Sequence, residues 1–330
     1  SGNNYNITYA DNTTSTINRA NITLGTSDVT KTYDGTLNAA GSALLTSGTL
    51  FSNASNGNVL DSIAGGTFAF TNANAGVGNK TVTVAGVSIN DGNSGNNYNV
   101  TYADNTSSTI NRANVTITSN DVTKTYDGTL AALGSAALSS GTLFSNASNG
   151  GVQDSFSGGT FAFTNANAGV GNKTVTVAGV SINDGNSGNN YNITYADNTT
   201  STINRANVSV STNDIIKIAD GTTNADGIPI LVAGTLFNNV SNAGLQDNLT
   251  GGTYAFTDPE VGVGKTVLVS NVTVNDGNGG NNYNLTYVDN TNSIIEAGTP
   301  PETVLENVIS NVTNIVSQNP APATGGDSGQ

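Results

Sequence analysis

The sequence predicts an all-β protein: a tandem array of three β-sandwich-like domains of about 93 residues, joined by near-continuous strands. Three observations carry that expectation. The first is alternation of β-branched with polar residues, as in Val115-Thr-Ile117-Thr, in residues 160–164 (TFAFT) and in residues 173–182 (KTVTVAGVSI). The second is repetition: Tyr5, Tyr98, Tyr191 and Tyr283 head the same GNNYN motif at steps of 93, 93 and 92 residues. The third is punctuation by Gly, Asn and Asp at sandwich spacing, in a chain with 40 Gly and only 6 Pro.

Taken in order, residues 1–20 match the end of a repeat, as comparison with residues 94–113 and 187–206 shows. The chain therefore reads as a piece of a longer array or a processed product. Residues 21–113 form repeat 1 and residues 114–206 repeat 2; within them, residues 66–99 and 159–192 are identical. The seam between them, SSTINRANVTITSNDVTKTYDG, has no proline, no Gly/Ser run and no charge block. Extended chain should pass directly from one domain into the next. In repeat 2 the expected strands are residues 114–118, 122–126, 160–164, 173–182, 191–195 and 202–204, with a mixed segment at 138–144. Gly179 marks a bulge, 184–190 a tight turn, and residues 131–139 one helical turn.

Residues 207–297, repeat 3, drift. Lys217-Ile-Ala219-Asp220 replaces Lys-Thr-Tyr-Asp, Asp258-Pro259-Glu260 replaces Ala-Asn-Ala, and Ser293-Ile-Ile-Glu296 replaces the Thr-Ile-Asn-Arg ending. Terminal repeats lack one neighbour and are commonly atypical, so this copy reads as a cap. Residues 298–330 differ again. Thr299-Pro-Pro-Glu302 is a helix-start signal, and Leu305, Val308, Val312 and Ile315 fall at helical spacing as a docking face. A flexible tail follows.

Composition removes several function classes. The net charge is −14, with 9 basic and 23 acidic residues, which argues against nucleic acid and against anionic membrane surfaces. No apolar run reaches membrane-spanning length. With no Cys and no His there is no disulfide staple, no thiolate site and no Ser-His-Asp triad. The Asp residues recur with the repeat beside Gly or Asn, which is the pattern of turns. The expectation is a protein that is not an enzyme.

Two recurrent motifs are candidate sites. The first is Tyr33-Asp34-Gly35, repeated as Tyr126-Asp127-Gly128 and as Asp220-Gly221 without the tyrosine. Asp-Gly supplies positive φ for a turn, and the ring is expected at a sandwich edge or a domain junction. The second is Asp-Gly-Asn-x-Gly at Asp91/Asn93, Asp184/Asn186 and Asp276/Asn278, which resembles half a calcium loop. It lacks the EF-hand glutamate, so plain turns are the stronger reading and no cofactor is required. Asn-X-Ser/Thr sites such as Asn99, Asn192 and Asn284 would accept sugars.

The Lys-Thr-Tyr-Asp-Gly-Thr block beginning at Lys31 and Lys124, preceded by alternating Asn-Ile/Val-Thr, resembles the YDG and MBG-type repeats of very large bacterial surface proteins. Those include filamentous-haemagglutinin-like adhesins exported by the two-partner route. The resemblance covers nearly everything except the tail. It implies an extracellular stalk or adhesive region at the bacterial surface, outer-membrane associated, or in a biofilm matrix. Its partners would be a host or neighbouring-cell surface, matrix polysaccharide, or neighbouring copies of itself. The alternative expectation is a subunit of a self-assembling fibre or sheath that uses β-strand addition between chains, with residues 4–18 as the donated strands. Direct sugar binding would use exposed rings such as Tyr9, Tyr102, Tyr195 and Tyr287.

Overall fold

The computed structural model describes residues 4–298. The expected C-terminal helix, with Leu305, Val308, Val312 and Ile315, lies outside them. Among the described residues no helix is long and apolar enough to cross a membrane.

The described chain is all-β. In the first repeat the strands are β1 (Ala20–Thr26), β2 (Thr30–Thr32), β3 (Ala43–Ser47), β4 (Ser52–Asn53), β5 (Val59–Leu60), β6 (Ser62–Phe70), β7 (Gly76–Asn90), β8 (Tyr98–Tyr102) and β9 (Asn105–Asn111). One sheet has the order β3-β1-β8 and the other β2-β9-β7-β6. Alternation on β1 and β7 turns Ile22, Leu24, Val84, Val87 and Ile89 into a shared core with Tyr98, and this burial holds the two sheets together. β8 runs parallel to β1, where Asn99 Nδ2 donates to Asn21 Oδ1 at 3.1 Å and the Thr23 and Thr101 hydroxyls meet at 2.9 Å. The abundant Asn and Thr thus form ladders across paired strands.

β7 is long because it bends. Its buried positions step from Val82 and Val84 to Val87 and Ile89, a slip of one residue. The slip falls at Gly86, φ 64°, which faces Gly66, φ 106°, and the β6–β7 ladder skips both. Gly179 fills the same position in the second repeat, φ 67°; the ladders of the first and third repeats keep their register across this point, with one residue on each strand, so the feature is a paired kink and not the bulge expected there. In the third repeat Asn271 takes it at φ 56°, Asn being the side chain that best tolerates this region.

The expected helical turn at 131–139 does not form. Ala136–Ser140 is a strand, paired antiparallel to Ala113–Ser119, and sheet pairing overrides the local preference. The only helical turn in this repeat is the three-residue 3-10 segment Ala147–Asn149, capped by the Asn146 side chain. The strand predicted at 160–164 begins earlier, as Ser155–Phe163, and that predicted at 202–204 is Asn198–Asn204. Strand register also corrects the reading of repeat 3. Phe70 pairs with Val82 and Phe256 with Val267, so Asp258-Pro259-Glu260 replaces Asn72-Ala73-Asn74.

The seam follows expectation. β9 ends at Asn111 and the next strand starts at Ala113, so Arg112 alone separates them. The described chain divides into two compact units: residues up to Val122 with Ala132–Ala162 and Val175–Asn198, and Thr123–Ala131 with Phe163–Thr174 and the chain from Thr199. The division cuts through the second repeat. In the first unit one core joins Val29, Tyr33, Phe70, Val82 and Ile110 of repeat 1 to Ala113, Val115, Ile182 and Tyr191 of repeat 2. Packing units are therefore offset from sequence repeats.

Candidate functional site

The Lys-Thr-Tyr-Asp-Gly-Thr block, Lys-Ile-Ala-Asp-Gly-Thr in the third repeat, forms a clamped loop early in the sequence of each repeat. Lys31 Nζ lies 2.7 Å from Asp34 Oδ1, donates to the Thr36 carbonyl at 2.7 Å and sits 5.4 Å from the centre of the Phe70 ring. Asp34 Oδ1 also accepts from the Thr36 amide at 2.9 Å. Burial alone would raise the Asp34 carboxyl, but Lys31 and Thr36 outweigh it and hold it low. Lys124 and Asp127 repeat this clamp with Thr129, and Lys217 and Asp220 repeat it with Thr222. Asp and Lys therefore shape the loop and leave the tyrosine free for another task.

That task is docking into the following repeat. The Tyr33 hydroxyl donates to Asp154 Oδ2 at 2.9 Å, and Tyr191 donates to the same oxygen at 2.6 Å. The Tyr33 ring meets Phe144 and Tyr191 edge-on, with centroids 5.8 and 5.3 Å away. Tyr126 does the same in the second unit: its hydroxyl donates to Asp247 Oδ2 at 2.8 Å beside Tyr283 at 2.7 Å, and its ring meets Phe237 and Tyr283 edge-on. Tyr33 and Tyr126 are each 1 % exposed. Burial, then the adjoining carboxylate, pushes both phenols far above their ordinary range. Burial also raises Asp154 and Asp247, against the lowering pull of their two tyrosine hydrogen bonds.

Glycine lets the loop close on its receiver. Gly35 has φ 76°, and a Cβ there would lie 2.2 Å from the Ser145 carbonyl oxygen; at Gly128 it would lie 2.1 Å from that of Asn238. The Gly35 carbonyl accepts from the Ala147 amide at 2.8 Å and the Gly128 carbonyl from Val240 at 3.0 Å. At Gly221, φ 79°, the same Cβ would meet nothing within 4 Å among the described residues. Ala219 stands there in place of the tyrosine.

A second prong accompanies the first. Asn74 Oδ1 accepts from Asn146 Nδ2 at 2.8 Å and Asn190 Nδ2 at 3.2 Å, the Ala73 amide donates to Ser148 Oγ at 2.7 Å, and the Ala75 amide donates to Asn190 Oδ1 at 2.8 Å. Asn167, Ala166 and Ala168 make the corresponding bonds to Asn239, Asn282 and Ser241.

The calcium-like loops hold up the receiver. Asp184 Oδ1 accepts from the Asn186 and Gly188 amides, and Oδ2 from the Asn190 amide, all within 2.9 Å. Asp91 and Asp276 do the same in their loops. Burial works against the Asp91 charge, yet these amides outweigh it and keep its carboxyl low. Asn93, Asn186 and Asn278 each donate Nδ2 to the Asn at the loop's end instead of presenting oxygens to a common centre. Among the described residues no three His, Cys, Asp or Glu side chains group as metal ligands. Tyr102, Tyr195 and Tyr287 bond the backbone of their own repeats through the hydroxyl and remain partly exposed; Tyr9 is largely exposed.

Sequence reasoning did not single out the receiving residues. Asp61, Asp154 and Asp247 recur at the 93-residue step, as several other Asp series do. Asp61 sits between Leu60 and Ser62 and Asp154 between Gln153 and Ser155, so not every Asp stands beside Gly or Asn, but Asp28 and Asp258 share that context and it does not single out the receivers. All three are buried beside strand ends, with Oδ1 bare in each.

The family model described as the YDG domain matches residues 18–107 and 111–202, more than half of the chain. No curated protein and no solved structure matches it.

Proposed function

The chain belongs to the YDG domain family, and from that premise we propose that it is a non-enzymatic structural element, the stalk of a bacterial surface adhesin or biofilm matrix protein. The observation that supports this most is the tyrosine junction. Each seam has one residue of connection and a buried tip pinned by ring contacts and hydrogen bonds, and at the first seam a core is shared between the two repeats. Such a seam resists bending and separation, and the use of an array of them is reach. Tandem copies also multiply weak contacts into avidity. The finer reading is a filamentous-haemagglutinin-like, two-partner-exported protein at the outer membrane or in matrix, facing a host or neighbouring cell, or polysaccharide. The acidic balance speaks against nucleic acid as a partner.

The test is small-angle scattering of the full chain, wild type against Tyr33→Ala/Tyr126→Ala. The expected result is a narrow distribution of repeat-to-repeat distances that broadens in the variant. A wild-type chain that already swivels freely would overturn the reading.

One observation favours the alternative, a fibre subunit. Residues 4–19 carry no strand, and Tyr5, Ile7, Tyr9 and Ile17 are exposed, though the same motif forms β8 and β9. They are chemically fit to add to another chain's sheet. Filaments in light scattering under assembly conditions would favour this reading; a persistent monomer would remove it.

A further inference from the structure

The receiving half of the junction is built three times, and at the start of the first repeat it stands preformed. The Phe51 amide donates to the Tyr98 hydroxyl at 2.9 Å, which donates to Asp61 Oδ2 at 2.7 Å. This is the relay of Phe144, Tyr191 and Asp154 at 2.9 and 2.6 Å. Arg19 Nη2 meets Asn96 Oδ1 at 3.4 Å, as Arg112 meets Asn189 at 3.2 Å.

The difference lies in what these groups hold. Asp154 and Asp247 each accept two tyrosine hydroxyls on Oδ2; among the described residues Asp61 accepts one. Asn146 Nδ2 donates to both Asn74 Oδ1 and the Asp184 carbonyl, whereas among the described residues Asn53 Nδ2 donates to the Asp91 carbonyl alone. Asn190 and Asn282 are fully buried, while Asn97 is half-buried; Phe51 is 55 % exposed, while Phe144 and Phe237 are half-buried. A cavity of about 750 Å³ opens here, lined by Ile17, Arg19, Phe51, Asp61, Asn97 and Tyr98. Its floor is a carboxylate only 4 % exposed and its wall an aromatic edge, which together select a phenol.

We infer that this cavity is a socket for the Tyr-Asp-Gly tip of a further YDG repeat. The incoming ring lies against Phe51 and Tyr98 with its hydroxyl on Asp61 Oδ2. The glycine carbonyl accepts from Ala54, which holds the position of Ala147. The Asn-Ala prong bonds Asn53, Ser55 and Asn97. The occupant is not a tip of this chain. Tyr33 and Tyr126 are seated already, and the third tip has lost its chemistry: Ala219 has no ring, Pro259 has no amide for the serine, and Glu260 replaces the asparagine. The third repeat receives and does not dock onward, as suits a cap. This inference concerns recognition and stands whether or not the array bears load.

The test is hydrogen exchange by mass spectrometry on the full chain. The segment 51–61, unique in sequence, should exchange about tenfold faster than 144–154. Inserting a second copy of residues 114–206 directly before Asn21 keeps the seam sequence and presents a tip to the cavity. It should slow exchange of 51–61 about tenfold, the Ala54 amide most. Tyr126→Ala in the inserted copy should restore fast exchange, with Tyr126→Phe intermediate, and Asp61→Ala should abolish the gain. Equal rates for 51–61 and 144–154 in the parent chain, no slowing on insertion, or slowing that survives Tyr126→Ala would each overturn the inference.

Discussion

At the scale of single residues, Tyr126 and Asp127 stand side by side and do unrelated work. The carboxylate is spent within its own loop, and the ring is spent on the next repeat. Their substitutions should separate accordingly. Tyr126→Phe removes one of two donors to a buried carboxylate and should cost about 1–3 kcal/mol in urea unfolding. Tyr126→Ala also opens a cavity and should cost about 3–5 kcal/mol, whereas Asp127→Ala, which breaks a partly exposed ion pair, should cost about 1 kcal/mol or less. The two kinds of buried aspartate should also respond to pH in opposite directions. Burial raises Asp154 above its ordinary 3.8, so its contribution is fully present below about pH 3.8 and is lost as pH rises through the folded value. Asp91 lies below 3.8, so its contribution is present above about pH 3.8 and is lost as pH falls through the folded value. Urea midpoints followed across this range should show a shallower high-side decline in Asp154→Asn, Asp247 still contributing, and a shallower low-side decline in Asp91→Asn, Asp34 and its counterparts still contributing.

At the scale of elements, the matched glycines isolate what a close approach demands. Gly128 and Gly221 share a positive φ, but only Gly128 abuts a receiving carbonyl. Gly221→Ala should cost about 1 kcal/mol through backbone conformation alone. Gly128→Ala should cost several-fold more in thermal unfolding, because Asn238 has to move. The Asp-Gly-Asn loops are keyed by backbone amides, so melting curves in calcium and in EGTA should superimpose. Much of this level was legible in the sequence. The strand Tyr191–Tyr195 and the seam at Arg112 followed from alternation and punctuation, and the glycine at 179 marked a positive-φ kink, though not the bulge it suggested. Two things did not. Alternation tells which face of β8 is buried, not that its partner is β1 running parallel. Small residues at 131–139 suit a helix locally, but the partner strand that claims Ala136, at Ser119, lies outside that stretch. The docking pair was hidden for the same reason: Tyr33 and Asp154 are 121 residues apart and belong to different copies.

At the scale of the whole molecule, stability is shared between cores inside single repeats and a core that joins the first repeat to the second. Excising residues 114–206 alone would strip the buried tip of its receiver and expose Tyr126. An isolated second repeat should therefore melt well below the full chain in calorimetry, by more than Tyr126→Ala lowers it. Repeat arrays normally couple neighbours through flat interfaces; here the coupling is by insertion, which gives each seam a direction from tip to receiver.

Tips one and two share the same six residues, and their receivers share the same aromatic and acidic groups. Side-chain chemistry thus offers no label to tell Tyr33 that its home is Asp154 and not Asp247. Address is supplied by the tether instead: with only Arg112 to spare, a tip cannot travel past its immediate successor. A near-identical tandem protein avoids shuffled partnerships during folding by keeping each leash too short to reach a stranger.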